Sequence, residues 1–221
     1  PQNYLETNNI SLKDKISQMF MIRMDGNYHN SESWKKEQIE DLINNYNIGG
    51  LITFSGNIHG TYNNIKYYQS LSKFPMFIAS DYERGLGVFI EGTLFPSNMA
   101  VAATQDTSYA YLQGKVTAIE AKSIGVNMIL APVLDINNNI NNPIINFRSF
   151  GDTPETVIKY GLPFIDGIQD QGLIACAKHY PGHGNTSTDS HISLPIININ
   201  KNELYNNELQ PFKNAVSRGV E

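Results

Sequence analysis

The sequence Lys178-His-Tyr-Pro-Gly-His-Gly184, followed by Asp189-Ser-His191, concentrates the polar chemistry of the chain in one short segment. It holds three of the five histidines in the protein. A short apolar run, Leu173 to Ala177, precedes it, and its prolines and glycines then prevent helix or regular strand. The pattern predicts a buried strand that ends in a polar loop. Catalytic side chains are often found on loops that a rigid sheet supports.

Asp189 and His191 are the candidate proton-transfer pair within this segment. Residues two positions apart project to the same side of an extended chain, so we predict that the two side chains meet. A neighbouring carboxylate fixes the tautomer of an imidazole and favours its protonated form. Such a pair can give a proton to a leaving oxygen and later take one from water. Lys178 and His179 supply N–H groups suited to binding hydroxyl groups.

A metal site is the main alternative interpretation of this segment. Four of its side chains are plausible zinc ligands: His179, His183, Asp189 and His191. However, no two histidines have the His-Glu-x-x-His spacing on a predicted helix. We therefore predict neither a metal nor another cofactor. The two remaining histidines, His29 and His59, are interpreted as structural or solvated.

Composition excludes several classes of protein. The net charge is −5 and only 17% of residues are charged, without the basic patch that nucleic-acid binding requires. A hydrophobic content of 41% in 221 residues suits a globular protein with a sizeable core. No apolar run approaches the roughly 18 residues of a membrane span. Cys176 is the only cysteine, which excludes an intrachain disulfide, and we expect its thiol to be buried and inert.

Cellular location is not decided by the sequence. Pro1 is not a natural start, so both a cytoplasmic location and secretion after removal of an upstream segment stay open.

Short apolar runs alternate with amphipathic segments along the chain. The predicted strands are 19–24, 51–54, 76–79, 128–134 and 173–177. The predicted helices begin at Ser11, cover 32–46, 60–73 and 106–124, and begin again at Thr153 and Asn200, with Pro211 kinking or splitting the last one. Five strand-helix units predict a parallel sheet. Asp81, Asp135 and Lys178-His179 then lie at the carboxyl ends of strands, where parallel α/β folds place their sites.

Two architectures are compatible with this α/β pattern. A closed eight-stranded barrel typically needs about 250 residues, and only five strand-helix units are predicted. The chain therefore supplies about five units of a TIM-like (β/α) barrel, or it forms an open doubly wound parallel sheet.

The motifs resemble those of a known family. Lys178-His-Tyr-Pro-Gly-His-Gly184, Asp189-Ser-His191 and Leu194-Pro195 resemble the signature of glycoside hydrolase family 3, in its β-N-acetylglucosaminidase branch. Asp81-Tyr-Glu-Arg-Gly85 resembles the acidic motif of that family, and Asn146-Phe-Arg-Ser-Phe-Gly151 resembles its strand-four loop. The similarity runs from about Leu12 to Gly219, which is nearly the whole chain.

The resemblance implies a TIM-like barrel that removes terminal β-linked N-acetylglucosamine by a retaining, two-step route. It implies that His191 is the general acid/base and Asp189 its partner, in place of the usual carboxylic acid. Four residues match the sugar-hydroxyl contacts of the family: Asp81, Arg148, Lys178 and His179. The implied partner is a carbohydrate that contains N-acetylglucosamine, and no cofactor is implied. Asp135 is interpreted as structural, bonded to the Asn-rich loop around residues 137–142.

Two departures from the family pattern qualify this interpretation. The segment from Leu86 to Ile90 lacks an arginine that the acidic motif commonly carries, although Arg84 is present. No residue matches the nucleophilic aspartate of the family, which is expected beyond Glu221. We therefore expect residues 1–221 to form a single α/β domain that is incomplete at its C-terminus. The alternatives are another β-glycosidase or a glycoside phosphorylase, a metal-dependent hydrolase, and a non-catalytic sugar-binding fragment.

Overall fold

A computed structural model of the protein describes residues 10–29 and 32–220. Its strands are β1 (Met21–Gly26), β2 (Gly50–Gly56), β3 (Phe77–Ser80), β4 (Met128–Ile129) and β5 (Ile174–Ala175). Its α-helices are α1 (Leu12–Ser17), α2 (Trp34–Tyr46), α3 (Ile58–Leu71), α4 (Asn98–Ala103), α5 (Ser108–Ser123), α6 (Pro154–Gln169), α7 (Lys201–Asn206) and α8 (Gln210–Arg218). Short 3-10 helices cover Leu86–Val88 and Asn146–Arg148.

The chain divides into two compact units. The first unit comprises residues 10–80 and 124–126, with β1 to β3 and α1 to α3. The second comprises residues 81–123 and 127–220, with β4, β5 and α4 to α8. The strand pairs within each unit are parallel, and helices separate the strands along the chain, so the predicted α/β class is confirmed.

The first unit is built on three adjacent parallel strands. Leu51 of β2 lies opposite Ile22 of β1 and Ile78 of β3. Leu51 and Ile78 are fully buried, as are Ile43 of α2 and Tyr68 of α3. Apolar side chains of the helices therefore cover these strands, as expected for parallel strands that form the core of an α/β protein.

The second unit contains two strands, and both are shorter than the sequence predicted. β4 and β5 pair in parallel, with Met128 opposite Ile174. Regular strand covers only 128–129 and 174–175, and Pro132, which has no N–H to donate, follows within the predicted strand. Pairing returns at an isolated parallel bridge between Val133 and Lys178. This bridge joins the two segments just before their polar residues begin.

The helix boundaries follow local sequence signals. Ser11 caps α1 by accepting a hydrogen bond from the backbone N–H of Asp14 (3.1 Å), and Thr153 caps α6 in the same manner. The predicted break at Pro211 is confirmed, because α7 ends before it and α8 begins next to it. α4 was not predicted, although Ser97 is a normal cap for it.

Three residues to which the sequence analysis assigned no catalytic role, His29, His59 and Cys176, lie outside the predicted site residues. His29 is buried, with its Nδ1 2.8 Å from the Tyr68 hydroxyl, whereas His59 is exposed. Cys176 is half-buried rather than buried, and burial raises the pKa of its thiol, so little reactive thiolate is expected. In the part of the chain that the structure describes, no helix combines the length and apolar character of a membrane span.

Candidate active site

The bridge between Val133 and Lys178 brings two polar segments of the second unit together. The backbone N–H of Leu134 donates to the Lys178 carbonyl (2.6 Å), and the Lys178 N–H donates to the Pro132 carbonyl (3.0 Å). Because the two segments run in parallel, residues that follow the bridge in each segment lie close together, and Asp135 contacts His179. Residues far apart in the sequence therefore meet at the carboxyl ends of β4 and β5.

Asp135 anchors the histidine loop, defined here as residues 178–184. Its side chain is buried and accepts from the backbone N–H (3.1 Å) and the Nδ1 (2.6 Å) of His179. Its other oxygen accepts from the His183 backbone N–H (2.6 Å). Since a carboxylate only accepts, the His179 Nδ1 carries hydrogen, and the Nε2 of that ring is left for other contacts. The interpretation of Asp135 as structural agrees with these contacts, but its partners belong to the histidine loop.

The Asn-rich segment bonds to the same loop through Asn142. The Asn142 side-chain amide donates to the carbonyls of His183 and Gly184, each at 2.8 Å. A Cβ at position 184 would clash with the Ile136 carbonyl, so only glycine permits this close approach. The histidine loop is thus held by residues 135–142 along its length.

Four charged side chains form a compact group beside this loop, here called the charged cluster: Asp81, Glu83, Arg148 and Lys178. Arg148 forms a bidentate pair with Glu83, with Nη2–Oε1 at 2.7 Å and Nε–Oε2 at 3.0 Å. Lys178 pairs with Asp81 and, at 2.7 Å, with Glu83. Arg148 also lies 3.4 Å from the Nε2 of His179, which joins the cluster to the histidine loop.

The electrostatics of the cluster are set by two cations around Glu83. Burial opposes ionisation of Glu83, but hydrogen bonds and charges from Arg148 and Lys178 outweigh it and lower the pKa of Glu83 to about 2. Burial likewise opposes the charge on Arg148, and its bonds to Glu83 reverse this and raise its pKa. Glu83 and Arg148 are therefore both ionised at neutral pH, which fixes their positions through strong, charge-assisted hydrogen bonds.

The predicted pair of Asp189 and His191 is formed, but by a different backbone from the one expected. The segment is a turn instead of an extended chain: the N–H groups of Ile192 and Ser193 both donate to the Asp189 carbonyl. The Asp189 carboxylate accepts from the backbone N–H and faces the Nδ1 of His191, each at 2.8 Å. These two contacts, the backbone one first, lower the pKa of Asp189.

Exposure distinguishes this pair from the rest of the site. The His191 side chain is 74% exposed and the Asp189 side chain 26%. His183 connects the pair to the histidine loop, because its Nε2 lies 2.9 Å from the hydroxyl of Ser190. A chain of contacts therefore runs from Ser190, between the two members of the pair, through His183 to Asp135.

Sequence reasoning missed Glu83 as a central residue. Asp81 was predicted from the Asp81-Tyr-Glu-Arg-Gly85 motif, and Glu83 lies in the same motif. Glu83 was not singled out from that motif; its neighbour Arg84 lies over the ring of Phe147, 5.9 Å from its centre. The spacing of two between Asp81 and Glu83 was the signal that both carboxylates can face one cation.

The structure also bears on the metal interpretation. Among residues 10–29 and 32–220, no three His, Cys, Asp or Glu side chains are placed to hold a metal ion. Each of the four proposed zinc ligands has at least one polar side-chain atom in the contacts given above, whereas the Nδ1 of His183 is buried without a hydrogen-bond partner among these residues.

Comparison with known proteins shows which family the chain belongs to. The family described as "Glycosyl hydrolase family 3 N terminal domain" matches residues 11–221. This chain belongs to glycoside hydrolase family 3. The parallel strand pairs within each of its two units, with helices between the strands along the chain, agree with the TIM-like barrel expected for the family.

Three relatives illustrate the match. Beta-hexosaminidase A of Pseudoalteromonas piscicida is 36% identical over 193 residues, covering 81% of this chain and 32% of that protein. The solved structure of a family 3 β-N-acetylglucosaminidase from Paenibacillus sp. str. FPU-7 has a TM-score of 0.87 at 34% identity, covering 96% of this chain and 41% of that one. A solved β-glucoside phosphorylase also has a TM-score of 0.87, at 27% identity, covering 97% of this chain and 38% of that one. The chain spans less than half the length of each.

Proposed function

We propose that the protein acts in the hydrolysis of terminal β-linked N-acetylglucosamine by a retaining mechanism, with His191 as general acid/base and Asp189 as its partner. The observation that carries this proposal is the contact of 2.8 Å between His191 Nδ1 and Asp189 Oδ1 on an exposed turn. The family relationship and the printed activities of the relatives support it.

We infer that the pair exchanges its proton with the substrate through one ring nitrogen. Because the Asp189 carboxylate accepts from Nδ1, the Nε2 of His191 is the atom that exchanges a proton with the substrate. In the first step, protonated Nε2 gives its hydrogen to the glycosidic oxygen while the bond from the sugar carbon to that oxygen breaks and the nucleophilic aspartate, which we expect beyond Glu221, bonds to the same carbon. In the second step, neutral Nε2 takes a proton from a water that attacks this carbon, and the bond from the carbon to the aspartate breaks.

The charged cluster and His179 would bind the sugar. The ammonium group of Lys178 has three N–H donors, of which Asp81 and Glu83 engage two, so the third suits a sugar hydroxyl. Asp81 provides further acceptor capacity, and its side chain is 32% exposed. We therefore infer that Asp81, Arg148, Lys178 and His179 position the hydroxyl groups, with Glu83 holding both cations in place.

The substrate and the nucleophile are part of the proposal. We infer that the sugars come from peptidoglycan fragments or from chitin. We expect the nucleophilic aspartate in sequence that follows Glu221, in a single α/β domain to which residues 1–221 contribute about five strand-helix units.

Leaving-group dependence tests the role of His191. We expect His191→Ala to slow hydrolysis of N,N′-diacetylchitobiose by about a hundredfold or more, because its sugar leaving group needs a proton. An activated aryl N-acetyl-β-glucosaminide needs little protonation, so its first step is expected to change far less. His59→Ala, on the exposed histidine of α3, is the matched control and is expected to leave both rates unchanged. Equal losses on both substrates in His191→Ala would contradict the assignment.

A glycoside phosphorylase is the second candidate. An imidazole in place of a carboxylate as the acid/base would not repel an incoming phosphate, and the similarity to the solved β-glucoside phosphorylase agrees with this. Turnover of an aryl glycoside with and without phosphate distinguishes the two activities, because only a phosphorylase releases a sugar phosphate. Binding of N-acetylglucosamine with no turnover under either condition would instead support a non-catalytic sugar-binding fragment.

A further inference from the structure

Glu208 is a buried acid that the proposed chemistry does not use. It lies between α7 and α8, and only 2% of its surface is exposed. One carboxyl oxygen accepts from the side-chain amide of Asn138 (2.7 Å). The other, Oε2, is buried and has no hydrogen-bond partner among the described residues. Burying a polar atom without a partner costs free energy, so this side chain is held in an unfavourable place by its surroundings.

The Glu208 side chain is surrounded by the histidine loop and the Asn-rich segment. Gly182 of the histidine loop has φ of +131°, and a Cβ there would lie 3.0 Å from both the Cβ and the Oε2 of Glu208. The Glu208 side chain therefore packs against the backbone between His179 and His183. Asn138, its hydrogen-bond partner, belongs to the Asn-rich segment that also bonds to the histidine loop. Glu208 thus contacts both loops at the point where they meet.

The electrostatic setting favours a neutral side chain at this position. Burial raises the pKa of Glu208, the hydrogen bond from Asn138 opposes this, and the negative charges of Asp135 and Glu203 raise it further. A neutral carboxylic acid has nearly the shape of a glutamine side chain, and the oxygen that accepts from Asn138 is present in both.

We propose that Glu208 is a positioning residue, which holds the histidine loop in its sugar-binding geometry through its contacts with Gly182 and Asn138, and that a neutral side chain of the same shape is sufficient. The inference rests on the proposed function for its sugar ligand. The contacts of Glu208 with the loop do not depend on that function.

Three variants test this role: Glu208→Ala, Glu208→Gln and the control Glu203→Gln, which changes an exposed acid on α7. Two measurements are made on each folded protein: hydrogen exchange of the Gly182 and His183 amides, and the affinity for N-acetylglucosamine by NMR titration. We expect Glu208→Ala to speed this exchange and weaken the affinity by about tenfold each. At or below about pH 4.5, the ordinary value for glutamate, we expect Glu208→Gln and Glu203→Gln to stay within about twofold of the wild type.

The pH dependence of sugar affinity is a further test, because a role of Glu208 in packing alone would not produce it. Ionisation of Glu208 at rising pH disfavours its buried position, so the wild type is expected to lose affinity relative to Glu208→Gln as the pH rises above about 4.5, the ordinary value for glutamate. Glu208→Gln lacks this titration, which makes the ratio of the two affinities the measured quantity.

Several outcomes would overturn the proposal. These are unchanged exchange and affinity in folded Glu208→Ala, damage by Glu208→Gln equal to that of Glu208→Ala, or a constant ratio of affinities across pH. If Glu208→Ala does not fold, Asn138→Ala removes the same hydrogen bond and must produce the local increase in exchange. If the wild type binds no sugar, the proposed function fails, while the exchange measurement still decides whether Glu208 positions the loop.

Discussion

The charged cluster and the pair of Asp189 and His191 are both built from acids and cations, but they are built for opposite purposes. In the cluster, the side chains of Glu83, Arg148 and Lys178 are 20% exposed or less, and each is held by more than one partner. His191 is 74% exposed, and its ring nitrogen contact is to one carboxylate on the same turn. Partly buried, multiply bonded charges fix geometry, whereas an exposed imidazole stays accessible to substrate and water.

The largest expected effect is on the stability of the cluster. Glu83→Gln removes the charge that faces both Arg148 and Lys178, and breaking such a partly buried ion pair is expected to lower the free energy of unfolding by about 4 kcal/mol. Urea denaturation at neutral pH measures this. The matched control is Asp166→Asn, which breaks the exposed bidentate pair with Arg218 and is expected to cost less than about 1 kcal/mol. Equal losses in the two variants would remove the distinction between the cluster and a surface pair.

Acid is expected to remove the same interaction reversibly. The pKa of Glu83 is lowered from 4.5 to about 2, so its contribution to stability is complete above pH 4.5 and is lost as the pH falls toward 2. The difference in unfolding free energy between the wild type and Glu83→Gln should therefore shrink by about 3 kcal/mol across this window. Denaturation curves of both proteins at several pH values test this. A difference that does not vary with pH would show that Glu83 is not held as a carboxylate by its two cations.

Asp189→Asn is expected to reduce catalytic activity, because the pair is proposed to transfer protons. The asparagine has no charge to favour the protonated His191 ring, which is the form that carries a proton on Nε2, so hydrolysis of a substrate with a poor leaving group is expected to fall by about a hundredfold. The measurement is the rate of N,N′-diacetylchitobiose hydrolysis by the wild type and by Asp189→Asn. Asp166→Asn is the control for the loss of one acidic side chain outside the pair. Full activity in Asp189→Asn would contradict a role for the carboxylate.

The smallest expected effect completes the comparison. His191→Ala removes an exposed side chain from a turn, so the free energy of unfolding is expected to change by less than about 0.5 kcal/mol. Urea denaturation of His191→Ala and Glu83→Gln side by side measures the smallest and the largest expected loss of unfolding free energy. A loss in His191→Ala as large as that in Glu83→Gln would mean that the pair is structural.

Much of the fold could be predicted from local sequence signals, and the wrong predictions also have local causes. Helix caps at Ser11 and Thr153 and the break at Pro211 were predicted because each depends on a few neighbouring residues. β4 was predicted through residue 134 from its apolar run, although Pro132 within that run is a local signal against a regular strand. α4 was missed because its apolar, alanine-rich sequence is short and has little amphipathic pattern.

By itself, the sequence determined the alternation of strands and helices, the position of the polar loop after the fifth strand, and the meeting of Asp189 with His191. These features depend on residues that are neighbours in the chain. Only the tertiary structure decided that Glu83 lies between two cations and that Asp135 holds the histidine loop. The partners in those contacts are 65 residues apart for Glu83 with Arg148 and 44 for Asp135 with His179. The Asp135 contact forms because parallel pairing sets the ends of β4 and β5 side by side, and the Glu83 contact because folding brings distant loops together.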